Sequence, residues 1–388
     1  MSVNRPDPAA SDRAKTPARA VAEEMQKPAR LPALTGLRCF AAINIVFFHF
    51  SDPNWFGFLA PVINAGYASV SYFILLSGFV MGYNYSAKAR AGKLDTFRFW
   101  EARFTRLYPV YLLSLLLSWQ MVGPEYGAHT HKMFWTGMVL TPLLMQGWVP
   151  ELATFLNTPA WTMSAEAFFY LLFPWMARWK RPRRLRPHLV KMAAVWMIGM
   201  MPGALYLLFN PDGLAHVDRW SWGHWLQMLK FTPLPHLASF VFGVLLAGLD
   251  DHIVRNSQFR LVLGLFGFGS LFVLLTQSGS LPYAMMHDGL LMPLFGCVIL
   301  GLAGRNWLAS VFGWAPLVFV GEASYCLYLL HFNMWNMLHQ SHVLDRLGLN
   351  RYDPWISYVL LIMMAVAALH FVEKPAQAQL RRVMHLWR

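Results

Sequence analysis

The sequence predicts an all-α protein: a polytopic membrane helix bundle of about ten transmembrane helices plus one re-entrant or interfacial segment over 133–149. Of the 388 residues, 56% are hydrophobic and only 13% are charged, and the mean hydropathy is +0.38. Such a composition is typical of proteins that cross a bilayer several times. Apolar stretches recur at 35–52, 63–85, 107–123, 133–149, 163–177, 192–209, 225–249, 261–277, 283–303, 317–338 and 355–372.

The charge and the cysteines exclude other classes. A net charge of +13 would suit a nucleic-acid-binding protein, but the basic residues lie between apolar stretches. Membrane topology explains them better than nucleic acid does. The three cysteines lie within apolar segments and lack metal-ligand spacing, so we expect neither a disulfide nor a metal site. They are Cys39, Cys297 and Cys326.

The two ends of the chain predict the topology. Residues 1–30 are rich in Pro, Ala, Arg and Lys, carry six Lys or Arg, and lack a signal-peptide core. We interpret them as a disordered cytoplasmic tail. The membrane domain then covers 31–375, and 376–388 form a basic cytoplasmic tail. Because both tails are basic, both termini should be cytoplasmic, which requires an even number of crossings.

An even number requires that one of the eleven apolar stretches does not span the membrane. Loops 86–106 and 178–191 carry six and seven Lys or Arg, so both should face the cytoplasm. Three apolar stretches lie between these loops, and one of the three must not cross. We choose 133–149, which is short, broken by Pro142 and flanked by tryptophans.

Two ionisable residues share the first apolar helix. Arg38 and His49 are eleven residues apart. Eleven residues of helix advance about 16 Å and rotate about 20° net, so both side chains share one face, about half a bilayer apart. Ionisable groups at membrane depth are costly and usually functional. Snorkelling of Arg38 and a merely structural His49 are the alternatives.

Six short strings occur in one order along most of the chain. They are Leu31-Pro-Ala-Leu-Thr-Gly-Leu-Arg38 with His49, Ser71-Tyr-Phe-Ile-Leu-Leu-Ser-Gly-Phe79, Arg103-Phe-Thr-Arg-Leu-Tyr-Pro109, Thr158-Pro-Ala-Trp-Thr-Met-Ser-Ala-Glu166 with Tyr170 and Pro174, Ser324-Tyr-Cys-Leu-Tyr-Leu-Leu-His331, and Val372-Glu-Lys-Pro375. Together they resemble the acyltransferase-3 family of bacterial integral membrane O-acyltransferases. The resemblance runs from about Leu31 to Arg382.

The resemblance implies transfer of an acyl group, commonly acetyl, from cytoplasmic acyl-CoA to a hydroxyl of an exported polysaccharide, lipopolysaccharide or other glycan. It implies a multi-pass protein of the bacterial inner membrane, with acyl-CoA as co-substrate and no permanently bound cofactor. Because the chain ends soon after its last span, we expect the domain to complete transfer alone or with a polysaccharide-assembly partner.

Arg103 and Arg106 are candidates for donor binding. Their i, i+3 spacing places both guanidinium groups on one side of a helix. Forked hydrogen bonds would let them hold the phosphates of coenzyme A, with Tyr108 behind them. The alternative explanation for the two arginines is the usual excess of Lys and Arg on the cytoplasmic side of membrane proteins.

Other candidates follow on later helices. Glu166, an acid in an apolar helix, would orient His49 or contact the acceptor, with Trp161 offering a flat surface for a sugar ring. Other residues predicted at the acceptor side or lining the cavity are Ser164, Tyr325 and His331. We expect Ser77 and Gly78 to allow close helix packing, and Glu373 to end the last helix. Lys230 and Asp288 receive no role.

The first hypothesis is therefore an O-acyltransferase in which Arg38 guides the thioester and His49 performs transfer. A histidine can act as a general base or as a nucleophile that forms an acyl-imidazole, and both options stay open. The alternative is a solute transporter that uses Arg38 and His49 as substrate and proton sites, although the paired halves common in transporters are not visible. A structural subunit would leave the buried charges without a use.

Overall fold

The computed structural model describes residues 31–182, 184–250, 252–253, 256–287 and 289–386. Within these residues the regular structure is helical and contains no β-strand, which confirms the predicted fold class. The predicted tail over 1–30 and Asp288 lie outside the described residues.

Seven helices precede residue 180 in the described chain. They are α1 (Pro32–Phe50), α2 (Ala60–Asn64), α3 (Ala68–Arg90), α4 (Thr96–Leu117), α5 (Val122–Ala128), α6 (His131–Leu140) and α7 (Trp161–Met176). The later helices are α8 (Leu185–Phe209), α9 (His224–Phe231), α10 (Pro233–Asp250), α11 (Ser257–Thr276), α12 (Tyr283–His287), α13 (Met292–Leu302), α14 (Trp307–Phe312), α15 (Ala315–Glu322), α16 (Ser324–Gln340), α17 (Val343–Arg346), α18 (Trp355–Ala368) and α19 (Lys374–Leu386).

Length and composition identify six candidate membrane spans among the described residues, and eight if each of two bent helix pairs counts as one span. The bent pairs are Pro53–Asn64 with Ala68–Arg90, at 45°, and Ala315–Glu322 with Ser324–Gln340, at 57°. The predicted count of about ten is therefore not reached by this criterion. Helix α4 carries three arginines and one glutamate in its first half, and α7 is only 16 residues long.

The segment 133–149 behaves as a non-spanning element. Helix α6 has ten residues, which rise about 15 Å, or about half of the hydrocarbon core. The chain then turns and forms short 3₁₀ segments over Gln146–Trp148 and Pro150–Leu152. This geometry agrees with the predicted re-entrant or interfacial segment.

Glu373 does not end the last helix, contrary to expectation. It lies in a π-helical turn, Leu369–Glu373, that joins α18 directly to α19. Helix α19 continues to Leu386, across the predicted domain boundary at 375. The Glu373 side chain is buried, so it belongs to the interior and not to a helix terminus.

The two basic loops lie on the same side of the molecule. The Arg178 guanidinium donates a hydrogen bond to the Thr96 hydroxyl, with an N–O distance of 3.2 Å. This contact joins loop 178–191 to loop 86–106. It is the arrangement expected if both loops face the same compartment.

Helices α3 and α10 pack with their backbones in close contact. A Cβ atom at Gly78 would collide with the Phe240 carbonyl, and one at Gly243 would collide with the Leu75 carbonyl. The Ser77 hydroxyl lies 3.2 Å from the Tyr170 hydroxyl. Small residues thus bring the helices together, as predicted for Ser77 and Gly78, since van der Waals contact and hydrogen bonds are the main forces between helices in lipid.

Candidate active site

Two histidines from different helices form the centre of the site. His49 lies near the end of α1 and His331 in the middle of α16, and Nδ1 of His49 is 3.1 Å from Nε2 of His331. Nδ1 of His331 is 2.6 Å from the Tyr328 carbonyl. A carbonyl only accepts, so Nδ1 of neutral His331 carries the proton and Nε2 is an acceptor. His49 must then donate from Nδ1, which leaves a lone pair on its own Nε2.

A second contact supports the same tautomer of His49. The Ile45 carbonyl, one turn earlier in α1, also interacts with the imidazole. In the same i, i−4 arrangement, two other helical histidines, His339 and His370, use Nδ1 for the carbonyl. His129, directly after α5, does the same. The contact with His331 therefore places the proton on Nδ1 of His49, and the Ile45 contact is compatible with this tautomer.

Aromatic rings surround this imidazole pair. The Phe332 ring lies 4.8 Å from His49 and 4.9 Å from His331, measured between centroids. Phe50 stacks on Trp335 with a centroid distance of 4.2 Å. His331 is fully buried, whereas His49 keeps some accessible surface. The rings fix the orientation of both imidazoles while one of them stays reachable.

A cluster of buried charges lies toward the beginning of α1. Arg38 is within electrostatic reach of Arg106, Glu166 and Glu373. Arg103 adds a third guanidinium, which donates to the Tyr85 hydroxyl at 3.3 Å. Three arginines and two glutamates give this ionic cluster a formal excess of one positive charge. Arg38, Arg106 and Glu166 are partly buried and keep some accessible surface.

Glu166 therefore lies elsewhere than predicted. Its Oε2 accepts a hydrogen bond from the Tyr170 hydroxyl at 3.0 Å, and its charged neighbours are Arg106, Arg38 and Arg103. The group that orients His49 is His331. An acid among three cations loses less free energy on burial than one beside a neutral histidine, which explains why Glu166 joins the ionic cluster.

Trp161 and Ser164 also differ from the prediction of an open acceptor surface. The Trp161 ring packs against His236, with centroids 4.9 Å apart, and is buried. The Ser164 hydroxyl accepts a hydrogen bond from the Gly147 amide at 3.2 Å and is also buried. Neither presents a free face, so both hold the start of α7 in place.

The predicted tyrosines make backbone contacts. The Tyr325 hydroxyl donates to the Leu107 carbonyl at 2.7 Å, and its ring lies in the field of Glu166 and Glu373. The Tyr108 hydroxyl donates to the Pro142 carbonyl at 3.2 Å. Tyr325 thus borders the ionic cluster, whereas Tyr108 ties α4 to the segment after α6.

Sequence reasoning missed two features of the site. Glu373 joins the ionic cluster and accepts a hydrogen bond from the Cys326 thiol at 3.2 Å. Its position directly after the apolar stretch 355–372 was a usable signal, similar to the one that singled out Glu166. Arg219, in the loop between α8 and α9, has its guanidinium carbon 3.7 Å from the Phe48 ring centroid and donates to the Phe48 carbonyl at 2.6 Å. No pattern in the loop pointed to it.

Lys230, which had no predicted role, holds that same loop. Its ammonium donates to the Ser221 carbonyl at 3.0 Å. Within the loop, burial opposes ionisation of Asp218, yet hydrogen bonds from Ser221 and the Trp220 amide lower the pKa of its carboxyl below the usual value. Lys230 and Asp218 together fix the loop that carries Arg219 next to the residue preceding His49.

The candidate ligands of a metal ion are dispersed. Within the described residues, no three His, Cys, Asp or Glu side chains are grouped so that they could hold a metal.

Comparison with known proteins gives a consistent result. A family model described as an acyltransferase domain matches residues 31–369. The acyltransferase MdmB of Streptomyces mycarofaciens is 29% identical over 333 residues, which are 78% of each chain. The O-acetyltransferase OatA of Staphylococcus aureus is 22% identical over 376 residues, 91% of this chain. No solved structure matches the chain.

The relatives differ in the fraction of their own length that this chain matches. The chain spans 58% of the length of OatA. Protein 2 in the picA locus of Rhizobium radiobacter is matched over 96% of its length, at 28% identity across 46% of this chain. The family model covers nearly all of the helical domain described above, including the ionic cluster up to α18 and both histidines. The chain therefore belongs to the acyltransferase-3 family of membrane acyltransferases.

Proposed function

We propose that this membrane acyltransferase transfers an acyl group, acetyl by preference, from acyl-CoA in the bacterial cytoplasm to a hydroxyl of an extracytoplasmic glycan. The proposal places the protein in the inner membrane with both termini cytoplasmic. The observation that carries it is the construction of α1. One end of this helix carries Arg38 in the ionic cluster, and the other carries His49 with a lone pair on Nε2.

The ionic cluster suits the donor end. Its three guanidinium groups exceed its two carboxylates by one charge, and arginine forks match phosphate oxygens well. Arg38 and Arg106 would also polarise a thioester carbonyl. Because α1 separates Arg38 from His49 by about 16 Å, an extended pantetheine arm would have to cover this distance within the protein.

The imidazole pair suits the transfer step. Nε2 of His49 removes the proton of the acceptor hydroxyl as its oxygen attacks the thioester carbonyl. The C–S bond then breaks, and the thiolate takes the proton from the imidazolium to leave as free coenzyme A. His331 accepts the Nδ1 hydrogen bond throughout, and so keeps the correct nitrogen available. It is a positioning residue in this scheme.

A covalent variant uses the same atom. Nε2 of His49 attacks the thioester carbonyl, the C–S bond breaks, and coenzyme A leaves as a thiolate. The acceptor oxygen then attacks the acyl carbon, the C–N bond breaks, and the hydroxyl proton passes through Nε2 to the thiolate. The two routes differ when the acceptor is absent. The covalent route then leaves one acyl group on the protein, which the intact mass of the protein reveals, whereas direct transfer leaves none.

The test uses the purified full chain in sealed lipid vesicles. Labelled acetyl-CoA is supplied on the side of the termini, a hydroxyl-bearing glycan is supplied on the other side, and both coenzyme A release and labelled glycan are measured. We compare wild type with His49→Ala and with His370→Ala, an exposed helical histidine that bonds its own i−4 carbonyl. A general base is worth roughly 10²–10⁴-fold in rate.

We expect His49→Ala to lose about 10³-fold in labelled product and His370→Ala to retain wild-type activity. Coenzyme A release and glycan labelling that both survive in His49→Ala would contradict the assignment of His49. Labelling only when donor and glycan share one side would contradict transfer across the membrane. Solute flux without any acyl transfer would support the transporter alternative.

A further inference from the structure

A cavity of about 460 Å³ lies apart from the imidazole pair and the ionic cluster. It forms where the ends of α3 and α7 approach α8 and α10, and the connection from α7 to α8 borders it. It therefore joins the two basic loops that are predicted to face the cytoplasm.

The side chains around this cavity carry one sign of charge. Arg90, Lys180, Arg181 and Lys191 line it, and the described lining residues include no carboxylate. Asp250 lies within electrostatic reach of Arg181 and pairs with Arg260, with an N–O distance of 2.7 Å. Cations gathered in this way repel one another, and a bound anion would relieve that repulsion.

Arg181 shows how closely the charges are placed. Burial, and then the charge of Arg90, lower the pKa of the Arg181 guanidinium to about 10. The Arg181 guanidinium is still charged at neutral pH, with the Asp250 carboxylate among the groups around it.

A glycine in α10 leaves room for two of the side chains that line the cavity. A Cβ atom at Gly248 would lie 2.7 Å from Cε1 of His188 and 3.1 Å from Nε of Arg181. Glycine at this position therefore lets both side chains lie against the helix. A larger residue would displace Arg181 from the cavity.

His188 provides a second and independent indication of a ligand. It lines the cavity, is only 1% exposed, and donates from Nε2 to the Leu245 carbonyl at 2.9 Å. Its Nδ1 has no hydrogen-bond partner among the described residues. A buried polar atom without a partner is costly, and a ligand hydroxyl or a bridging water would satisfy it.

The floor of the cavity is apolar. Met176, Ala177, Val195, Val244 and Leu245 contribute to it, and the Trp179 indole borders it. The cavity therefore combines a cationic rim with a surface for hydrocarbon or an aromatic ring. This combination fits a phosphate attached to an apolar or ring-shaped body.

We propose that this cavity binds the phosphate group of an amphiphilic or nucleotide ligand through Arg90, Lys180, Arg181 and Lys191. Two sources supply that chemistry on the cytoplasmic side. One is the headgroup of an anionic phospholipid, and the other is the 3′-phosphorylated adenosine end of coenzyme A. Only the second source rests on the proposed function.

The experiment measures binding with two probes and two matched variants. Native mass spectrometry follows retention of dioleoyl phosphatidylglycerol, with dioleoyl phosphatidylcholine as the uncharged reference. Calorimetry in phosphatidylcholine nanodiscs compares coenzyme A with 3′-dephospho-coenzyme A. The test variant is Arg90→Gln/Lys191→Gln, and the control is Lys88→Gln/Lys93→Gln. Both pairs are exposed, but the described lining of the cavity includes only the first.

We expect at least one probe to bind the wild type and to weaken about tenfold in the test variant, with less than a twofold change in the control. Selective loss of phosphatidylglycerol identifies a lipid site, and selective loss of coenzyme A over its dephospho form identifies the nucleotide end of the donor. Equal weakening in both variants would overturn the proposal, as would failure of the wild type to bind either probe. A normal elution profile of each variant shows that it is folded.

Discussion

Both ends of α1 place ionisable side chains among packed helices, but the two ends stabilise these side chains by different interactions. At one end, buried arginines and glutamates from several helices compensate one another. At the other end, two uncharged imidazoles define their protonation through directed hydrogen bonds, from His49 to His331 and from His331 to the Tyr328 carbonyl. The comparison teaches that the ionic cluster depends on contacts between opposite charges, whereas the imidazole pair depends on directed hydrogen bonds.

Removing one charge should have the largest effect on stability. In Arg106→Gln the buried carboxylates of Glu166 and Glu373 lose a compensating charge, and breaking a buried pair costs about 3 kcal/mol. We expect a large drop in the free energy of unfolding, measured by denaturation in detergent micelles. The control Arg98→Gln breaks an exposed pair with Asp95 and should change stability by less than about 1 kcal/mol.

The double variant Arg106→Gln/Glu166→Gln sharpens this prediction. It removes Arg106 together with one of the two carboxylates that Arg106 faces, so it should recover part of the lost stability. If it is as unstable as the sum of both single variants, the interaction between Arg106 and Glu166 does not stabilise the ionic cluster.

The imidazole pair should respond to geometry and not to charge. His331→Leu removes the acceptor for Nδ1 of His49 and should lower kcat about tenfold or more, because a misoriented base loses much of its effect. His331→Gln offers an amide oxygen in a similar place and should restore part of kcat, with KM for the donor unchanged in both. Turnover of labelled acetyl-CoA at saturating donor measures this.

Equal losses in the Leu and Gln variants would show that His331 only fills space. A rise in donor KM without a fall in kcat would instead place His331 at the donor end. Neither result is compatible with a positioning role for its Nε2.

The loop between α8 and α9 should show the smallest effect. Arg219→Ala removes the hydrogen bond to the Phe48 carbonyl and the contact with the Phe48 ring, together worth about 1 kcal/mol of stability. The control Arg351→Ala removes a contact with the Tyr352 ring at 4.6 Å on the exposed surface. Thermal unfolding should separate the two, and equal shifts would show that Arg219 contributes no more than a surface arginine.

Much of this arrangement could be predicted from the sequence. Apolar stretches predicted the helical membrane fold, and the cost of burying ionisable groups singled out Arg38, His49 and Glu166. The partners of these groups could not be predicted in the same way. His331 was expected to line a cavity, but its contact with His49 joins residues 282 positions apart, and only the packing of α16 against α1 brings them together.

Glu166 shows why the predicted topology gave the wrong neighbours for a side chain. It begins a helix that was assigned to the acceptor side, yet the side chain takes the position where cations compensate it. Trp161 was likewise interpreted as a sugar surface, although His236 covers its ring. Sequence patterns identified costly residues correctly, whereas the choice of partner depended on tertiary contacts.

Acyl transfer by His49 requires that its Nε2 be unprotonated. Solid-state ¹⁵N NMR of histidine-labelled protein in lipid distinguishes protonated from unprotonated ring nitrogens, and subtraction of the His49→Ala spectrum isolates the signals of His49. In the wild type we predict that Nδ1 of His49 is protonated and Nε2 is unprotonated. In His331→Leu we predict that a larger share of His49 adopts the opposite tautomer. A protonated Nε2 with a free Nδ1 in the wild type would contradict the pair that His49 and His331 form.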